Sequence, residues 1–130
     1  MILLDTHVLL WLLSDPQKIS AAAHLAIGQA RKDGAPIAIC SISLLEISML
    51  ARKQRILIGA SLEDLLADIE SKFAVLPIAV RACMRLTELP ENYPGDPVDQ
   101  MIGATALAEG IPLVTADERI RRAKAMATIW

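Results

Sequence analysis

Apolar residues in this chain come in short blocks that are alternately too short and too long to be one kind of element. "ILL" at residues 2–4, "PIAICS" at 36–41, "AVLPI" at 74–78, "IPLVTA" at 111–116 and "ATIW" at 127–130 are brief, nearly continuous apolar runs. Such runs read as strands buried on both faces. Between them lie longer stretches with helical spacing. "THVLLWLL" follows the first strand, and "SAAAHLAIGQARKDG" is opened by Ser20 and closed by Gly34. "SLLEISMLARKQR", "SLEDLLADIESKF" and "AVRACMRLTEL" follow in order, the last stopped by Pro90. "LPENYPGDP" is a loop, punctuated by Pro and Gly. "PVDQMIGATALAEG" is a helix with Pro97 at its first position, and "DERIRRAKA" a helical turn or two. Strands alternating with helices predict an α/β fold. It would be a three-layer α/β/α sandwich around a parallel sheet of four to five strands.

Composition narrows this reading. At 130 residues the chain reads as a single domain, 1–130, and 54% hydrophobic content supplies a core. Aromatics are only 3%, so that core is aliphatic. Cys40 and Cys83 lie in apolar surroundings without a C-x-x-C spacing, which reads as two buried free thiols in a reducing compartment. The opening apolar run is interrupted by Asp5, where a signal peptide would carry a basic residue, and falls short of the roughly 20 residues of a membrane span. A cytoplasmic protein is the expectation. Net charge is −2, whereas a protein that holds nucleic acid by charge alone is usually basic.

The chemistry sits in five carboxylates at element junctions: Asp5, Glu46, Asp96, Asp99 and Asp117. Each has an ordinary structural explanation. Asp5, Asp96 and Asp117 are placed to N-cap helices, and Asp99 falls in a first turn, where the helix dipole favours an anion. Ser43 and Glu46 have the spacing of a capping box. Taken together, all five fall at the carboxyl-end rim of the sheet, where open parallel sheets bind ligands. Asp96 and Asp99 share a helix face that continues to the small residues Gly103 and Ala106. Two unit charges about 4 Å apart repel by roughly 1 kcal/mol in water and about 4 kcal/mol at an effective dielectric of 20. A cluster of such groups calls for protons or a cation, and an oxygen-only donor set suits Mg²⁺ or Mn²⁺. His7 reads as a boundary residue, and His24 is assigned no role.

These residues lie in recognisable strings. "ILLDTHVLLWLL", "ISLLEISMLARKQRI", "GDPVDQMIGATALAEGIPLVTADERI" and the terminal "IW" resemble PIN-domain ribonucleases, and more closely the VapC-type toxins of bacterial toxin–antitoxin pairs. The resemblance implies Asp5, Glu46, Asp99 and Asp117 as the core acids, Asp96 as an added acid, and Thr6 and Thr115 as supporting hydroxyls. It implies metal-dependent endoribonuclease activity with Mg²⁺ or Mn²⁺, leaving a 5′-phosphate and a 3′-hydroxyl. Glu46 or Asp117 would position the attacking water. It further implies a VapB-type antitoxin and a homodimer, with an RNA substrate and no membrane. Two positions depart from the pattern. Pro94 stands near a place where related sequences carry His, and Gln100 where they carry Arg. Basic help is expected from Arg52, Lys53 and Arg55, or from Arg119, Arg121, Arg122 and Lys124.

Two other readings remain. A phospho-receiver domain would carry paired acids after its first strand and a Lys directly after its last, and this chain has neither. A non-catalytic PIN-like interaction module would have lost a core acid, and none is lost.

Overall fold

The computed structural model describes residues 1–56, 59 and 61–130. Five parallel strands form one sheet: β1 Ile2–Leu4, β2 Ile37–Cys40, β3 Ala74–Leu76, β4 Leu113–Val114 and β5 Thr128–Ile129. Their order is β3-β2-β1-β4-β5, so β1 is central. Leu3 pairs with Ala38 on one side and with Leu113 on the other. Helices α1 (Thr6–Ser14), α2 (Ala21–Lys32), α3 (Ser41–Arg52), α4 (Leu62–Lys72), α5 (Val80–Leu86), α6 (Pro97–Glu109) and α7 (Glu118–Ala123) connect the strands.

The strands are apolar throughout because both faces of the sheet are covered. Ile2, Leu4, Ile37, Ile39 and Val114 point into one core, with Val8 and Leu9 of α1, Ala23 and Ile27 of α2, and Ile69 of α4. Leu3, Ala38, Cys40 and Leu113 point into the other, with Ile102 and Ala106 of α6 and Ile120 of α7. This period-two alternation between two aliphatic cores is the three-layer sandwich the sequence predicts. α6 stops at Gly110, whose φ of 64° is the left-handed conformation glycine adopts readily.

Two expectations are corrected. α3 begins at Ser41, with Cys40 at its N-cap, so Ser43 and Glu46 do not form a capping box. The buried Ser43 hydroxyl instead accepts from Thr6 Oγ1 at 2.9 Å, and Glu46 lies in the second turn. The strand β2 delivers its last residue straight into the helix as its N-cap, three residues earlier than the capping pattern implies. Cys83 is exposed, not buried, because α5 presents Val80, Cys83 and Met84 outward; Cys40 is buried as expected. No helix among the described residues is long and apolar enough to cross a membrane.

Candidate active site

β1 ends at Leu4, and the next residue changes role. The Asp5 backbone N–H still donates to Val114 of the neighbouring strand, while its carbonyl already accepts from Leu9 N in the first turn of α1. Asp5 therefore stands at the N-cap position, yet its side chain makes no capping bond. The carboxylate is 6% exposed, and its Oδ2 accepts from Thr115 Oγ1 at 2.7 Å. Thr115 follows β4 and also accepts from the Asp117 backbone N–H at 3.1 Å. One buried hydroxyl thus ties the ends of two adjacent strands together.

Asp117 N-caps α7, accepting from Arg119 N and Ile120 N. Its carboxylate is also gripped by the Arg119 side chain, which donates from Nη2 to Oδ2 at 2.9 Å and from Nε to Oδ1 at 3.3 Å. Asp96 N-caps α6 through Val98 N and Asp99 N. Asp99 is the third residue of α6, half-buried below that cap. Thr6 is buried and supports α3 through Ser43, one turn before Glu46.

These groups share one cleft of about 350 Å³, lined by Asp5, Glu46, Asp96, Asp99 and Asp117 together with His7, Trp11, Ala116 and Arg119. All five predicted acids are therefore brought together, from the ends of β1 and β4, the start of α6 and the second turn of α3. Thr6 and Thr115 lie beneath them. His24 is elsewhere, its Nε2 against the Pro16 carbonyl at 2.9 Å. Larger cavities exist, but they lack this concentration of carboxylates.

The electrostatics follow from burial and crowding. Burial pushes the Asp5 carboxyl above the ordinary carboxylate range, against the pull of the Thr115 bond. Burial, reinforced by the charges of Asp5, Asp96, Asp117 and Glu46, pushes Asp99 up to about 6. The Arg119 side-chain bond holds Asp117 down. The cleft is thus short of positive charge, and Arg119 meets part of the deficit. The donor chemistry fits a hard divalent cation: oxygen ligands only, crowded enough to retain protons in its absence. Among the described residues, no three ligating side chains already converge as a finished cage. Asp117 spends its oxygens on Arg119 and on helix N–H groups.

Tyr93 was not singled out by its sequence. It lies in the loop before α6, is 5% exposed, and donates from its hydroxyl to the Asp99 carbonyl at 3.0 Å. It rests on Gly103, where a Cβ would come within 2.7 Å of the Tyr93 ring carbon Cζ. A lone aromatic in the loop "ENYPGDP", ten residues before a helix glycine, was the available signal.

Comparison with known proteins agrees with this geometry. The PIN domain family model matches residues 2–126. Ribonuclease VapC22 of Mycobacterium tuberculosis is 34% identical over 131 aligned positions, covering 99% of this chain and 98% of that protein. Among solved structures, VapBC2 from Rickettsia felis, bound to a DNA fragment from its promoter, superposes with a TM-score of 0.73 at 19% identity, covering 98% of this chain and 97% of that one. DNA-bound VapBC from Salmonella typhimurium gives 0.71 at 22% identity, covering 98% and 95%. At these identities the structural likeness is one of fold. The family model and the VapC22 match carry the assignment: the chain belongs to the PIN-domain family, among its VapC-type ribonucleases.

Proposed function

We propose that this chain is a divalent-metal-dependent endoribonuclease, the toxin of a type II toxin–antitoxin pair, cutting RNA phosphodiester bonds in the Asp5 cleft. The observation that carries the reading is the gathering of Asp5, Glu46, Asp96, Asp99 and Asp117 from separate elements into one cleft. A structural cap needs no such company.

Asp5, Asp99 and Asp117, helped by Glu46 and Asp96, would hold Mg²⁺ or Mn²⁺. A bound divalent ion lowers the pKa of water and offsets charge on the phosphate in the transition state. The chain's own residues do the rest. Thr115 fixes the Asp5 carboxylate so that its second oxygen faces the cleft. Glu46 or Asp117 would position the attacking water. Water attacks phosphorus, the bond to the 3′ oxygen breaks, and that oxygen leaves as a hydroxyl. Arg119, if released from Asp117, would be free to meet the phosphate.

The cytoplasm and a VapB-type antitoxin belong to the same reading, since the structural relatives are solved as VapBC pairs. A homodimer is supported by paired exposed apolar residues, Leu45 with Met49 on α3 and Val80 with Met84 on α5. The deciding experiment is metal-dependent cleavage of RNA by the wild type and by Asp5→Asn. Cleavage by the wild type and none by the variant is expected. Equal activity in the two proteins would overturn the assignment.

A further inference from the structure

Metal and phosphate alone give a nuclease no means of telling one sequence from another. Phosphate contacts position a nucleic acid, and bases of single-stranded RNA are read by stacking on aromatic rings and by hydrogen bonds to their edges. The chain has four aromatic residues, two Trp, one Tyr and one Phe. Tyr93 is spent on Asp99 and Phe73 on the aliphatic core. The two tryptophans meet each other, and Trp11 lines the cleft. The Trp11 ring lies 5.8 Å from that of Trp130, tilted by 48°, and 6.2 Å from the His7 ring, tilted by 57°.

His7 and Trp11 are one turn apart on α1, the helix that starts at Asp5, so a rigid element fixes their place relative to that carboxylate. His7 is exposed and Trp11 half-buried. Both line the acidic cleft, and both also line the adjoining cavity of about 830 Å³, whose charged lining is Lys18, Arg55, Asp64 and Asp68. They therefore form the ridge between the crowded carboxylates and a cavity of balanced charge. Trp130 packs behind Trp11 against the core and holds its orientation. A core contact alone would not place these two rings in the wall of the cleft.

We propose that His7 and Trp11 form a stacking shelf for the nucleobase beside the scissile phosphate, so that α1 selects which RNA sequences are cut. This rests on the reading of the cleft as an RNA phosphodiester site.

Two measurements test it separately from that reading. In a protein carrying Asp5→Asn and Trp130→Phe, Trp11 is the remaining tryptophan. Short single-stranded uridine or adenosine oligonucleotides should quench its fluorescence saturably, with a Kd that depends on the base. In the cleaving protein, Trp11→Leu should raise KM on the order of tenfold to a hundredfold and redistribute cleavage sites across total RNA. Trp11→Phe should stay within a few-fold of wild type. His7→Ala, at an exposed position, supplies the same test should Trp11→Leu fail to fold. Oligonucleotide binding seen by anisotropy without quenching overturns the shelf, as does an unchanged KM and cleavage map in the folded variants. Quenching without any wild-type cleavage supports base stacking on Trp11 but overturns the nuclease reading and, with it, the shelf's selection of cleavage sites. Cleavage without quenching does the reverse.

Discussion

The Thr115 hydroxyl donates to Asp5 Oδ2 at 2.7 Å across a sequence separation of 110, and both residues are buried. Thr115→Val keeps the shape and removes the donor. It leaves a buried carboxylate oxygen and the Asp117 N–H without their partner. An unpaired buried polar group costs about 1–3 kcal/mol. Urea denaturation at pH 7.5 without metal should show a loss in that range for Thr115→Val and a smaller one for Thr115→Ser. The loss should shrink in acid, where Asp5 carries a proton.

Asp99, with Asp5 shifted in the same direction, makes the stability of the metal-free protein depend on pH. Its carboxyl sits at about 6 in the fold against 3.8 ordinarily, from burial first and then from the neighbouring carboxylates. Between those values the folded state binds more protons than the unfolded one, so stability falls as pH rises through the window. The metal-free protein should melt at a higher temperature at pH 5 than at pH 7.5. Asp99→Asn should remove much of that slope and raise the pH 7.5 melting temperature by roughly 2–5 °C. Mn²⁺ should stabilise the wild type more at pH 7.5 than at pH 5. A flat profile in the wild type would contradict this account.

On the proposed reading, Arg119 and a cation would compete for Asp117. Arg119→Ala frees Oδ2, while Oδ1 still caps α7, so calorimetric titration should find Mn²⁺ bound a few-fold more tightly than by the wild type. The gain is small because exposed ion pairs are weak. Weaker binding by the variant would place Arg119 among the supports of the site instead.

Gly103 is held by Tyr93. Replacing a mid-helix glycine with alanine ordinarily stabilises by about 0.5–1 kcal/mol. Here the added methyl group meets the Tyr93 ring and lies 3.1 Å from Met126 Cε. Overpacking costs about 1–3 kcal/mol, so thermal unfolding should show Gly103→Ala destabilised. Truncation of Tyr93 in the same protein should restore part of the loss, since it removes the obstacle.

Much of the fold was legible because a doubly covered sheet leaves an unusual trace. Ile37, Ala38, Ile39 and Cys40 are all buried, so their strand shows no polar alternation. The parallel order follows from helices recurring between such runs. The start of α3 was less legible, because Ser43 and Glu46 imitate a cap whose geometry is set three residues earlier by Cys40. Cys83 misled because its neighbours are apolar, yet Val80 and Met84 are themselves exposed on α5. In the site, the five acids were visible as a set though ambiguous one by one. Asp96 and Asp117 do cap their helices, while Asp5 stands at a cap position and spends its carboxylate elsewhere. The grip of Arg119 on Asp117 and the seat of Tyr93 on Gly103 depend on side-chain directions that spacing alone does not encode.

The central place of β1 sets the order in which the cleft can be completed. β1 precedes the other strands, yet one of its two neighbours, β4, is made more than a hundred residues later. Until Thr115 and Asp117 are made, Asp5 has neither its hydroxyl partner nor the acid that shares its cleft. The same topology that buries Asp5 so well also delays it.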